Sequence, residues 1–142
     1  MDEPSEQIAE RVARDIEGLT AFGRRAGYFR AQLRLVPTDE GGRRGRIYSG
    51  YRSTWWLGDR TPDGSIQYHD APLTVEDGDR LELGELAVVR LYPTHPEYWP
   101  DVRPGQSIEM REGSRVVGHA TVLERVSPAD ATRLDRLPPD GV

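Results

Sequence analysis

The sequence predicts a small all-β domain, an antiparallel β-barrel preceded by a short N-terminal helix. Two observations carry this. From Tyr28 onward apolar and polar residues alternate with period two, as in strands with one buried face. Gly and Pro are abundant, with 15 and 11 of 142 residues, and they recur at short intervals that suit turns between short elements. The chain has room for one domain with short tails.

Taken in order, residues 5–17 have the pattern of one amphipathic helix. Ser5 is placed to cap it, Ile8, Val12, Ile16 and Leu19 form a narrow stripe, and Gly18 is a natural stop. Residues 18–27 read as a linker. The helix is either a strap packed on the barrel or a docking element for a protein partner. Phe29, Ala31, Leu33 and Leu35 then alternate with Arg30, Gln32 and Arg34. The run Glu40-Gly41-Gly42-Arg43 makes a turn, and residues 46–57 read as one aromatic-rich strand. Asp63-Gly64 and Asp77-Gly78 punctuate the next two strands, and residues 85–92 are the most apolar of all. Residues 95–105, with three prolines, read as a loop. A final hairpin joins residues 107–111 to 115–126, giving seven expected strands. Residues 127–142 read as a flexible acidic tail containing Pro, with a marginal helical turn.

Composition removes several chemistries. There is no Cys, so disulfides, thiol nucleophiles and Cys-based zinc sites are excluded within this sequence. There is no Lys, and the phosphate-binding loop of P-loop NTPases requires one, so no nucleotide cofactor is expected. The absence of Lys and Asn, with all 19 basic residues Arg, suits a GC-rich bacterial genome. The N-terminal residues lack a signal-peptide pattern and no apolar run is long enough to cross a bilayer, so a cytoplasmic protein without membrane association is expected. His69, His95 and His119 are far apart in sequence and lie in no ligand-spaced motif. No metal, other cofactor or catalytic residue is assigned, and an enzyme is not expected. An enzyme built on His69 or His95 would need that imidazole beside a carboxylate in a cleft.

Three segments carry a resemblance: Glu40-Gly41-Gly42-Arg43, Gly50-Tyr51-Arg52 and residues 111–118, REGSRVVG. Their order and separation resemble the C-terminal third domain, a β-barrel, of bacterial elongation factor Tu, over about residues 28–126. The resemblance implies that barrel as a standalone protein without GTPase activity. In that family the barrel meets the tRNA acceptor and T-stem backbone and protein partners. Carried onto matching positions, this places Arg43, Arg44, Thr54, Glu112 and Gly113 on the tRNA-facing side. Thr54 stands where Gln is usual, Arg44 where His is common, Ser114 where Gly is usual, and Ser53 where Pro is usual. Trp55-Trp56 replaces a smaller aromatic pair.

The residues themselves allow two readings of this region. Seven Arg lie between positions 30 and 60 against Asp39, Glu40 and Asp59, in a chain of net charge −5. Guanidiniums suit phosphate oxygens, and Tyr48, Tyr51, Trp55 and Trp56 can stack on exposed bases. Alternatively, the Arg form a solvated strand face and the aromatics are core. Neighbouring Trp55 and Trp56 should face opposite sides, the outward one serving as an interface anchor. Arg52 and Arg115 are expected to pair with a carboxylate such as Glu112, or to join the contact surface. The expected function is a non-catalytic module engaging a translation component, tRNA-like RNA or protein. The alternative is a protein-interaction domain, immune or regulatory, that uses Trp55, Trp56 and residues 5–17.

Overall fold

The computed structural model describes residues 5–135. Helix α1 (Glu6–Ala26) is followed by β1 (Tyr28–Leu35), β2 (Ile47–Tyr48), β3 (Arg52–Arg60), β4 (Ile66–Val75), β5 (Arg80–Leu81), β6 (Leu86–Leu91), β7 (Ser107–Glu112), β8 (Arg115–Val126) and α2 (Pro128–Asp135). Six strands close an antiparallel barrel in the order β1-β6-β4-β3-β7-β8, while β2 and β5 pair as a separate two-stranded sheet. No helix among the described residues is long and apolar enough to cross a membrane.

The alternation in β1 places Phe29, Ala31, Leu33 and Leu35 inside the barrel. They meet Trp55, Leu73, Leu91, Ile108, Met110 and Val122 from the other strands and Trp99 from the β6–β7 connection. Closure leaves the barrel without an edge strand.

Helix α1 is longer than the sequence pattern indicates. Ser5 caps it by accepting from the Ile8 N–H at 3.1 Å. The helix passes through Gly18 and ends only at Gly27, whose N–H bonds the Gly23 carbonyl at 2.8 Å. An interior Gly costs about 1 kcal/mol relative to Ala. Packing offsets it: Leu19 and Phe22 lie against a second apolar cluster of Tyr28, Tyr92, Val126 and Ala131. Gly23 seats the helix against the Tyr28 and Tyr92 rings, where an added Cβ would lie 3.0 Å from Tyr92. The expected linker at 18–27 is therefore mostly helix, and α1 is a strap.

Two further expectations are corrected. The single strand expected at 46–57 is two, because Gly50 adopts φ +99° and breaks the chain between β2 and β3. Among the described residues there are eight strands in place of seven. The expected tail begins with α2, which buries Ala131 and packs on α1, with Arg24 paired to Asp135 at 3.0 Å. The rest of that tail, residues 136–142, lies outside the described residues.

Candidate functional site

The three segments singled out in the sequence converge on one carboxylate. A 3-10 turn (Thr38–Glu40) carries the chain to Gly41 and Gly42, and Gly42 bonds back to the Pro37 carbonyl at 2.9 Å. A Cβ at Gly42 would overlap the Val36 carbonyl, so only Gly allows this tight return. Arg43 is thereby aimed at Glu112, near the end of β7, and bonds its Oε2. The Tyr51 hydroxyl, from the segment between β2 and β3, donates to the same oxygen. Arg43 also lies over the Tyr51 ring, 4.9 Å from its centroid, and its Nε donates to the Gly45 carbonyl at 3.1 Å. Burial and then the bond to Glu112 push the Tyr51 phenol up to about 12. Arg43, Tyr51 and Glu112 thus lock the β1–β2 loop to the barrel; β1 and β2 do not pair, so this segment is not a hairpin.

The cations around this lock are differently placed. Arg44, Arg52 and Arg115 are exposed, and among the described residues none of them forms an ion pair. Arg115 lies opposite Glu112 in the β7–β8 ladder, and Gly113 is exposed in the turn between them. The expected pairing of Arg52 or Arg115 with Glu112 is corrected: Arg43 and Tyr51 occupy that carboxylate. Thr54 is turned to Asp70, donating at 3.2 Å.

Trp55 and Trp56 face opposite sides of β3, as expected for strand neighbours. Trp55 is fully buried, and its Nε1 donates at 2.9 Å to Ser53, which in turn donates to the Ala71 carbonyl. It belongs to the core and cannot touch a partner. Ser53 supplies the polar partner that a buried indole needs. Trp56 is half-buried between the guanidiniums of Arg60 and Arg111, each 5.4 Å from the indole. Its Nε1 donates to the Asp59 carbonyl at 2.7 Å, and the ring stays partly exposed at the surface.

Helix α1 adds residues that periodicity alone cannot place. Gly50 faces Asp15 so closely that an added Cβ would lie 2.5 Å from its Oδ2. Beside this contact a depression of about 490 Å³ is lined by Arg11, Asp15, Arg43, Arg46 and Arg52. It shares Asp15, Gly50 and Arg52 with a second depression of about 510 Å³ that extends to Arg14, Asp70 and Thr94. Arg11 and Arg14 are exposed and, among the described residues, without ion pairs. The helical spacing marks their polar face, but which barrel edge that face borders depends on how α1 docks.

His69 and His95 are not isolated, whereas His119 is exposed and, among the described residues, without a partner. A register shift in β3 between Trp56 and Arg60 brings Asp59 to His69, with Oδ2 2.8 Å from the buried Nε2. His95 lies 3.6 Å from Glu97. His69, His95, Tyr98 and Asp70 border a cleft of about 180 Å³. Among the described residues no hydroxyl is hydrogen-bonded to either imidazole, and no three acidic or His side chains converge as metal ligands. A comparison with known protein-family models finds no match for this chain.

Proposed function

We propose that this chain is a non-catalytic binding module that engages tRNA-like RNA of the translation apparatus through its arginine edge. The observation that carries the reading is the contrast between two sets of arginines. Arg24, Arg30, Arg34, Arg90, Arg111 and Arg133 are each matched to a carboxylate. Among the described residues Arg44, Arg52 and Arg115 are exposed without one, as are Arg11, Arg14, Arg25, Arg103 and Arg125, and these first three lie beside the loop that Arg43 and Glu112 hold in place. An unpaired guanidinium on an ordered edge is free to exchange its counterion for a phosphate. The resemblance of the three converging segments to the elongation factor barrel supports RNA as the polyanion, by analogy of fold.

The test is a titration of labelled aminoacyl-tRNA at low and moderate salt. Arg44→Glu/Arg115→Glu is the informative variant, because Arg43→Glu would set a carboxylate against Glu112 and disturb the loop. Salt-dependent binding is expected, with the slope of log K against log salt reduced by about 1 for each phosphate contact removed. No binding at low salt would overturn the RNA reading and leave a protein partner as the alternative.

A further inference from the structure

The surface between α1 and the barrel continues past the arginine edge and changes character as it goes. At one end Arg11 and Arg52 line the depression with Asp15, beside Arg43 and Arg46, which are held by Glu112 and Glu82. In the middle Arg14 and Arg52 are balanced by Asp15 and Asp70. Asp70 then also borders the aromatic cleft, where the Tyr98 ring lies 5.9 Å from His69 and 5.7 Å from His95. Tyr98 is 60% exposed as a residue. His69 beneath it is held by Asp59 and packs edge-on to buried Trp99 at 6.4 Å, so the floor of the cleft is rigid.

We infer that this surface is a single-stranded RNA site, with phosphates on Arg11, Arg14 and Arg52, a ribose at Asp70 and an unstacked base on Tyr98. Each part of the ligand meets a matching group. Guanidiniums take phosphate oxygens. A carboxylate accepts from ribose hydroxyls, and the Asp70 carboxylate is bound on one oxygen by Thr54 and stays exposed. An exposed ring on a rigid floor provides a stacking platform, which works for any base because every base has a π-face. A duplex has no free base to offer the cleft. The inference rests on the RNA-binding reading and gives it a second, single-stranded component.

The test uses a labelled hexauridylate and an abasic ribose-phosphate hexamer of equal charge, measured by fluorescence anisotropy at low salt. The base-bearing oligomer is expected to bind about 5- to 150-fold more tightly, the range for one stacked base. Tyr98→Ala should erase that difference and leave the abasic affinity unchanged. Arg14→Glu/Arg52→Glu should weaken both oligomers. Circular dichroism on each variant checks that the fold persists. Equal affinity for the two oligomers, or a difference that survives Tyr98→Ala, would overturn the inference. If neither oligomer binds while tRNA binding still depends on Arg44 and Arg115, the single-stranded site fails alone and the RNA module stands.

Discussion

Replacing Gly50 with Ala tests how α1 is attached to the barrel. Gly50 sits at φ +99°, where an L residue costs about 1–2 kcal/mol. Its missing side chain also admits α1: a Cβ would lie 2.5 Å from Asp15 Oδ2 and 2.6 Å from Asp15 Cβ. The carboxylate can rotate away, but the Asp15 Cβ moves only with the helix backbone. Relieving the overlap must therefore shift α1 and loosen the packing of buried Val12, a further cost of about 1–3 kcal/mol. The total expected is about 2–5 kcal/mol. Gly41→Ala is the control, since Gly41 has φ +92° with no atom within 4 Å of an added Cβ and should cost only the backbone part, about 1–2 kcal/mol. Urea titration with unchanged m-values would measure both, as would thermal melts at about 4 °C per kcal/mol. Equal losses for the two variants would refute the argument that Gly50 is required by helix contact. If the single-stranded site is correct, Gly50→Ala also weakens hexauridylate binding, because Arg11 and Arg14 move with α1.

Three further outcomes follow from the ion pairs and caps. The Tyr51 phenol is raised to about 12 in the folded state against about 10 unfolded, so its contribution is fully present below pH 10 and is lost as pH rises through 12. Tyr28 and Tyr92 are also raised, mainly by burial, so Tyr51→Phe should flatten part of the alkaline decline seen in pH-dependent melts. The Glu76 carboxyl is held below its usual range by Arg30 and then Arg90, against the opposing effect of burial. Its stabilisation is present above the ordinary carboxyl range and lost as pH falls through the folded value; Glu76→Gln should cost about 1–3 kcal/mol at neutral pH and reduce the acid sensitivity, read from urea midpoints at pH 7 and 3. Ser5→Ala removes the α1 cap and should cost about 1 kcal/mol, measured the same way.

The sequence by itself determined the barrel. Period-two alternation in β1 and the placing of Asp63-Gly64, Asp77-Gly78 and Gly113-Ser114 mark strands and turns, because side chains on a strand alternate faces and the turn residues are local in effect. It also separated Trp55 from Trp56 by the same alternation. Tertiary structure alone decided the rest, since each remaining point depends on partners distant in the chain. Gly18 looked like a helix stop until Tyr28, Tyr92 and α2 supplied the packing that carries α1 onward to Ala26. Arg43 rather than Arg52 or Arg115 took Glu112, because the close return at Gly42 aims only Arg43 across 69 residues of sequence. His69 found Asp59 through a strand irregularity that no spacing rule contains. Local patterns set which residues are buried, and closure of the barrel against its helical strap set which charges were left facing outward.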